Sequence, residues 1–171
     1  YGGNNILLIK NHFNKKLIKN FIKKNKQIMI QKFLPEIIKG DRRIFIIGGK
    51  IKGAISRIPK KGSILSNMSK GAKAKMVKLN KSEIKISSLI AKKLIKNKII
   101  FAGVDFIGGK LIGDINITSP TGLKTYKDLS GRDLSKDFWN YVENKYAANW
   151  SKKRNIVSFY CNNVYYTRQP T

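Results

Sequence analysis

Two glycine pairs, each set between runs of β-branched residues, constrain the fold of this chain more than any other feature. The first pair, Gly48 and Gly49, lies within RRIFIIGGKIKGAISRIP, and the second, Gly108 and Gly109, lies within IIFAGVDFIGGKLIGDINITSP. A short glycine connection between two such runs is typical of a β-hairpin, because the favoured two-residue turns need positive φ angles. The sequence therefore predicts two antiparallel hairpins.

Helical spacing of apolar residues predicts the elements around the hairpins. Asn14 is expected to cap a helix that runs to Lys24, and Asn80 with Glu83 forms a capping-box pattern before a helix that ends near Lys96. The other predicted elements are buried strands at 5–10 and 27–33, short helices at 121–128 and 134–145, a mobile loop over 60–75 and an irregular tail from residue 146.

The charge of the chain is strongly positive. Its 171 residues include 36 Lys plus Arg against 9 Asp plus Glu, for a formal net charge of +27, while 42% of positions are apolar. That apolar content argues for a folded domain with a core rather than a disordered chain. Nucleic-acid binding is the simplest reading of such a charge. We favour a lysine-rich solvent surface instead, because the lysines are spread over every predicted element.

Several classes of protein and site are excluded by the sequence. No apolar run is long enough to span a membrane, and the first residues do not form a signal peptide. The single cysteine, Cys161, excludes an internal disulfide, and with the single histidine, His12, it excludes a cysteine- or histidine-rich metal site. We expect neither residue to be catalytic. A metal ion would therefore need carboxylate and amide oxygens, which favours Mg²⁺.

Such oxygens occur together in the second hairpin. Asp105 lies in its first strand, and Asp114 and Asn116, two residues apart, lie on one face of the returning strand. Across a tight hairpin the three side chains can converge on one point and hold Mg²⁺. The alternative is that Asp114 and Asn116 only satisfy a turn or a strand end.

The first hairpin contributes arginines. Arg43 and Arg57 lie near strand ends, and an arginine can bind a carboxylate or phosphate with two parallel hydrogen bonds. The alternative is a structural pairing with Glu36 or Asp41 at the rim of the sheet, which we prefer for Arg42. Gly2 and Gly3 precede a predicted strand, where their backbone N–H groups could approach a phosphate.

Five segments, taken together, resemble a known family. They are QKFLPEIIKGDRRIF, GAISRIP, SNMSKG, FAGVDFIGG and DINITSPTG, and they resemble prokaryotic glutathione synthetase, an ATP-grasp ligase, in unbroken order from Tyr1 to about Leu134. Other ATP-grasp ligases share the acid-x-Asn pair but not the TSPTG that follows it. The resemblance implies an α+β fold, namely the C-terminal portion of an ATP-grasp fold with an antiparallel sheet and flanking helices. It also implies a partial ATP-grasp domain over 1–145, followed by a tail of unclear origin over 146–171.

The resemblance also implies roles for individual residues. Arg43 matches an arginine that faces the reacting phosphate, and Arg57 matches one that binds a substrate carboxylate. The segment 59–73 resembles a mobile lid. The implied ATP-binding residues are Gly2, Gly3, Gln31, Lys32, Phe33, Leu34 and Asp41, the last on the ribose. The implied substrate-binding residues are Arg57, Asn67, Ser119, Pro120, Thr121 and Gly122. The implied metal ligands are Asp105, Asp114 and Asn116.

The implied reaction joins γ-glutamylcysteine to glycine with ATP, through an acyl phosphate and with Mg²⁺ or Mn²⁺ as cofactor, in a cytoplasmic homo-oligomer. Because the chain starts without Met and lacks the upstream half of the nucleotide cleft, we expect it to be a C-terminal fragment that is inactive alone. Asp114 stands where the family usually has Glu, and Gly113 is an extra residue that a β-bulge would accommodate. The alternatives are another ATP-grasp carboxylate–amine ligase and, less favoured, a basic nucleic-acid-binding module.

Overall fold

The computed structural model describes residues 5–9, 14–109, 111–150, 158–161 and 164–167. Expectations for Gly2, Gly3, Lys10 and His12 lie outside these residues. The helices are α1 (Lys15–Asn25), α2 (Lys81–Lys96), α3 (Leu123–Ser130) and α4 (Leu134–Trp150), with 3-10 turns at Pro35–Lys39 and Met68–Lys70. The strands are β1 (Asp41–Ile47), β2 (Lys50–Ile58), β3 (Lys73–Met76), β4 (Phe101–Ile107), β5 (Leu111–Asn116), β6 (Ser158–Cys161) and β7 (Val164–Thr167).

Both predicted hairpins are confirmed, and they form most of one antiparallel sheet in the order β3-β2-β1-β4-β5. The turns fall on the two glycine pairs, and all four glycines have positive φ angles, from 58° at Gly48 to 74° at Gly49. Side chains there would be strained, which explains why the turns consist of glycine.

The sheet separates two apolar clusters, because successive residues of a strand point to opposite faces. On one face, which we call the α2 face, Ile44, Ile46, Val104 and Phe106 pack with Ala91 and Leu94 of α2. On the other, which we call the α3–α4 face, the cluster combines residues of β1 and β2 with α3 and α4. Its members are Phe45, Ile47, Ile55, Tyr126 and Leu134.

The predicted helices are confirmed with small shifts in their ends. Asn14 caps α1 by accepting a hydrogen bond from the Leu17 N–H at 2.9 Å. The capping box before α2 forms in both directions, between Asn80 and Glu83. None of the described helices is both long and apolar enough to cross a bilayer.

The predicted strands at 5–10 and 27–33 are wrong over their described residues. Both segments lack regular secondary structure, and Met29 and Ile30 expose 81% and 83% of their surface. An apolar run becomes a strand only where a neighbouring strand accepts its backbone hydrogen bonds. Among the described residues, no strand pairs with either segment.

Two further expectations need correction. The loop over 60–75 is not wholly irregular, because β3 begins at Lys73 and adds an edge strand to β2. The expected tail contains the end of α4, which continues to Trp150, and a separate hairpin of β6 and β7. The domain boundary at residue 145 stays a prediction.

Candidate functional site

Two arginines and two aspartates form a buried network at one end of the α3–α4 face. Arg43 binds Asp105 through two parallel hydrogen bonds, Nε to Oδ1 at 2.8 Å and Nη2 to Oδ2 at 2.7 Å. Arg57 donates to Asp105 Oδ2 at 2.8 Å and to both carboxylate oxygens of Asp41, with Nε 2.8 Å from Oδ1. All four residues are only 5–7% exposed.

Strand register brings the four side chains together. Asp41 lies directly across from Arg57 in the β1–β2 pair, and Arg43 lies across from Asp105 in the β1–β4 pair. Residues opposite each other in antiparallel strands share a face. The structural alternative considered for Arg57, a pairing with Asp41, is thus present, and Asp105 joins it.

The network balances two buried positive charges with two negative ones, and this pairing offsets the desolvation penalty of burying them. Desolvation acts to lower the pKa of Arg57, but the hydrogen bonds and charges of Asp41 and Asp105 outweigh it, so the pKa lies above its ordinary value. Arg57 therefore stays charged throughout the physiological range.

The expected metal ligands share this face. Asp114 lies directly across from Asp105 and Asn116 lies across from Gly103, so Asp105, Asp114 and Asn116 all point to one side of the sheet. Asn116 also forms a local turn with Ser119, whose N–H it accepts at 3.0 Å and whose carbonyl it donates to at 3.2 Å. The alternative role predicted for Asn116, satisfying a turn, is therefore present.

Carboxylate and amide oxygens, the kinds of ligand that Mg²⁺ prefers, lie on this one face of the sheet. A carboxylate has about four acceptor positions. Asp105 uses three of them for Arg43 and Arg57. Asp114 is exposed and makes no hydrogen bond or ion pair with the described residues. Since the described residues contain no cluster of three His, Cys, Asp or Glu side chains, a bound Mg²⁺ would complete its shell with water or phosphate oxygens, as this ion usually does.

A β-bulge keeps Asp114 on this face. Asp105 pairs with Asp114 and Phe106 pairs with Ile112, so Gly113 is left over between them. The extra residue is absorbed in the strand without turning Asp114 to the other face.

Deletion of Gly113 is therefore expected to preserve the register and to change the free energy of unfolding by less than about 1 kcal/mol, because only the unpaired residue is lost. Urea denaturation measures the change. Deletion of Ile115 is the matched control, since closing the strand then brings Asp114 opposite Val104 and turns its carboxylate to the α2 face. Equal destabilisation by the two deletions would show that the bulge does not set the register.

The segment 119–122 meets the network through Arg43. The Nη1 atom of Arg43 donates to the carbonyl and hydroxyl oxygens of Thr121 at 3.0 and 3.1 Å. Pro120 is buried, and a Cβ on Gly103 would lie 3.2 Å from its side chain. Gly122 has φ +111° and packs on Phe45. The structure thus places Pro120, Thr121 and Gly122 beside Arg43, and Ser119 beside Asn116.

Other expected site residues lie further from these contacts. Gln31, Lys32 and Phe33 are exposed, Leu34 is half-buried, and none makes a side-chain hydrogen bond or ion pair with the described residues. Asn67 is half-buried, and its backbone carbonyl accepts from the N–H of Lys70. Its side chain makes no hydrogen bond with the described residues.

Sequence reasoning missed Ser66 and misplaced Arg42. The Ser66 hydroxyl is buried and donates to Asp41 Oδ2 at 2.6 Å, which ties the 60–72 segment to the network. Arg42 pairs with Glu83 at 2.7 Å, not with Glu36 or Asp41. Arg42 points to the α2 face, because successive residues along β1 alternate between the two faces and Asp41 and Arg43 point to the other one. The only sequence signal for Ser66 is its position beside Asn67 in SNMSKG.

Comparison with known proteins bears on the same residues. The family model for the ATP-grasp domain of prokaryotic glutathione synthetase matches residues 1–131. The glutathione synthetase of Rhodopseudomonas palustris is 38% identical over 119 residues, which cover 70% of this chain and 38% of that protein. The one from Prochlorococcus marinus subsp. pastoris is 39% identical over 108 residues, which cover 63% of this chain and 35% of that protein.

The chain belongs to the prokaryotic glutathione synthetase family. It matches the ATP-grasp domain of that family and spans little more than a third of the length of these relatives. The predicted fold class is confirmed, because the five-stranded antiparallel sheet and its flanking helices are an α+β arrangement within an ATP-grasp domain. The buried network, the metal-ligand candidates and the 119–122 segment all lie inside the part that matches this glutathione synthetase domain.

Proposed function

We propose that this chain supplies part of the active site of a glutathione synthetase, which ligates γ-glutamylcysteine to glycine with hydrolysis of ATP to ADP and phosphate. The observation that carries the proposal is the buried network of Arg43, Asp105, Arg57 and Asp41, which adjoins the oxygens of Asp114 and Asn116 within the family domain. The partners are then ATP and the two substrates, in a cytoplasmic homo-oligomer.

The chemistry explains why the site is built from charge rather than from nucleophiles. A carboxylate does not acylate an amine directly, so the γ-phosphate of ATP first transfers to the C-terminal carboxylate of γ-glutamylcysteine. The amine of glycine then attacks the acyl phosphate, and phosphate leaves. No protein nucleophile is needed, and the main requirements are charge neutralisation and exclusion of water.

The hydrogen-bond partners of the two arginines favour Arg57 for direct substrate contact. Its Nε and Nη2 bind Asp41 and Asp105. Its Nη1 makes no hydrogen bond with the described residues. This nitrogen therefore has two N–H donors to offer to a substrate carboxylate. Arg43 uses all three nitrogens on Asp105 and Thr121, so in this state it positions Asp105 and the 119–122 segment.

The remaining roles follow from position. Asp105, Asp114 and Asn116 would hold Mg²⁺, which neutralises phosphate charge during transfer. Asp41, which is buried and bonded to Arg57 and Ser66, holds Arg57 in place. Its expected contact with ribose, and the contacts of residues 31–34 with adenine, stay predictions. The hydrogen bond from Ser66 to Asp41 is one that the predicted 59–73 lid would have to break in order to move.

The test is ADP release by the whole protein that carries this domain, with γ-glutamylcysteine, glycine and Mg²⁺ present. Asp114→Ala is expected to lower kcat by about 10²–10³-fold, the usual cost of removing an electrostatic group from the reacting phosphate. Asp128→Ala is the matched control, because Asp128 is exposed on α3 and pairs with Lys124. Near-normal activity of Asp114→Ala would refute the metal assignment. ADP release that needs a different amino acid would identify another carboxylate–amine ligase.

A further inference from the structure

We propose that Asn80 and Glu83, the capping box at the start of α2, are positioning residues that hold the β4–β5 hairpin in the register its site residues need. The inference rests on the proposed function, because this hairpin carries the metal-ligand candidates Asp105, Asp114 and Asn116. Helix α2 packs on the other face of the sheet. Asn80 and Glu83 therefore act through the hairpin, without touching a substrate.

Glu83 is the most deeply buried charged residue in the part of the chain that the structure describes. It is 0% exposed, whereas the four charged residues of the network are 5–7% exposed. Its Oε2 accepts from Arg42 Nη1 at 2.7 Å and from the Asn80 N–H at 2.8 Å. A capping box needs only an acceptor oxygen at this position, which glutamine also supplies. The cap alone does not explain why a charge is buried there at the cost of its hydration.

The contacts of the capping box join α2 to two parts of the sheet. Arg42 belongs to β1, the central strand, which also carries two residues of the buried network. Asn80 Nδ2 donates to the carbonyl of Gly109, in the β4–β5 turn, at 3.3 Å, while Asn80 Oδ1 accepts from the Glu83 N–H at 2.8 Å. A chain of hydrogen bonds thus runs from β1 through Arg42, Glu83 and Asn80 to the turn of the second hairpin.

The β4–β5 turn lies directly against the capping box. Gly109 has a φ of +72°, and a Cβ on it would lie 2.9 Å from Asn80 Nδ2 and 3.6 Å from Glu83 Oε1. The first distance is shorter than an ordinary van der Waals contact, which is about 3.5–4.0 Å. Glycine at position 109 therefore permits both the turn and its close approach to Asn80.

Packing does little to hold β5. Among the described strands it pairs with β4 alone, and the bulge at Gly113 interrupts that pairing. Helix α2 packs mainly against β1, β2 and β4. As a result Ile112 and Ile115, which share the α2 face, remain 44% and 40% exposed. The contact between Asn80 and the turn is therefore a substantial part of what holds this end of the hairpin.

Register connects this contact to the site. A strand whose apolar face is only half-buried is weakly specified against a slip of one residue, and such a slip moves every side chain to the opposite face. In β5 it would turn Asp114 away from Asp105, which it now faces across the strand pair. By holding Gly109, Asn80 fixes the turn and so keeps Asp114 on the face of the buried network.

Two variants at position 80 separate capping from the contact with the turn. In Asn80→Ser the hydroxyl still caps α2, because serine is about as good an N-cap as asparagine, but the side chain is too short to reach Gly109. Asn80→Ala removes both contacts. Urea denaturation of the chain should give the serine variant a midpoint near that of wild type and the alanine variant a lower one.

Hydrogen exchange of the chain, followed by mass spectrometry, reports directly on the hairpin. Exchange over 111–116 should be about two- to tenfold faster in Asn80→Ser than in wild type, the range that one hydrogen bond is worth, while exchange in β1 stays unchanged. Glu83→Ala should also speed exchange over 111–116. Glu83→Gln should restore the wild-type rate, because the carboxamide oxygen still accepts from Asn80 and Arg42.

The effect on the site is measured in the whole protein that carries this domain. In Asn80→Ser the Mg²⁺ concentration for half-maximal ADP release should rise by a similar factor of about two to ten, with a smaller change in kcat, because a slipped strand withdraws Asp114. Asn14→Ser is the matched control. It makes the same substitution at the N-cap of α1, where the side chain accepts only from Leu17, and it should leave both measurements unchanged.

Two results would overturn the proposal. Wild-type exchange over 111–116 in Asn80→Ser would show that Asn80 only caps α2. Faster exchange with an unchanged requirement for Mg²⁺ would show that its contact with the turn serves stability alone. The exchange measurement needs neither substrate nor metal, and the ligase proposal is tested separately by Asp114→Ala, so the two proposals can fail independently.

Discussion

Replacing Asp105 with alanine is expected to lower the free energy of unfolding by about 3–5 kcal/mol, the usual cost of breaking a buried ion pair from one side. Asp105 accepts three hydrogen bonds from Arg43 and Arg57 and is 7% exposed. Without it, Arg43 keeps only the neutral oxygens of Thr121, and two buried guanidinium groups share the single charge of Asp41. Urea denaturation of the purified chain measures the loss.

Asp114→Ala is the control, because it removes a carboxylate from the same face of the sheet. The Asp114 carboxylate is exposed and unpaired among the described residues. This variant should change the free energy of unfolding by less than about 0.5 kcal/mol. If Asp105→Ala lowered the free energy of unfolding by less than about 1 kcal/mol, water rather than Asp105 would be solvating the two arginines. The double variant Asp105→Leu, Arg43→Met removes both charges and should recover part of the stability.

The hairpins and their helices could be predicted because their signals are local. The glycine pairs fix the turns through φ, and the capping box fixes the start of α2 within a few residues of sequence. Within each predicted hairpin, alternation alone puts Asp41 and Arg43 on one face of the first and Asp114 and Asn116 on one face of the second. The candidate residues of the first and second hairpins could therefore be named without coordinates.

Partners across the sheet could not be predicted, because they depend on the order of strands. The sequence does not show that β1 lies between β2 and β4, so it does not show that Arg57 and Arg43 share Asp105. For the same reason the sequence predicts the wrong acid as the partner of Arg42. Its partner Glu83 lies 41 residues away, on a helix that covers the other face.

Strand predictions failed where the pattern had no neighbour to pair with. Residues 27–33 have the apolar, β-branched composition of a strand, yet they pair with nothing among the described residues. Composition reports how well a segment suits a sheet, whereas hydrogen bonding to an adjacent strand decides whether it joins one. In the opposite direction, the lysine-rich 73–76 became β3 because the edge of β2 was available.

Phe45→Ala is expected to cost about 3–5 kcal/mol of unfolding free energy, as large-to-small changes of buried aromatic residues do. Phe45 is fully buried, and its ring meets that of Tyr126 edge to face with centroids 5.8 Å apart. A Cβ on Gly122 would lie 3.2 Å from the tip of the ring, so Phe45 also supports the end of the 119–122 segment. The cavity left by alanine would loosen both contacts. Urea denaturation of the chain measures the stability.

A smaller side chain at position 45 should support the 119–122 segment less well and so weaken the binding of substrate. Thr121 is held by Arg43 on one side, and its neighbour Gly122 rests on Phe45 on the other. In the whole protein, Phe45→Leu should therefore raise the KM for the substrate that contacts 119–122 more than it lowers kcat. Phe33→Ala is the control for the stability measurement. Phe33 is 38% exposed, so its replacement should lower the free energy of unfolding by less than about 1 kcal/mol. If Phe45→Ala and Phe33→Ala lowered the free energy of unfolding equally, Phe45 would not be the residue whose packing supports the 119–122 segment.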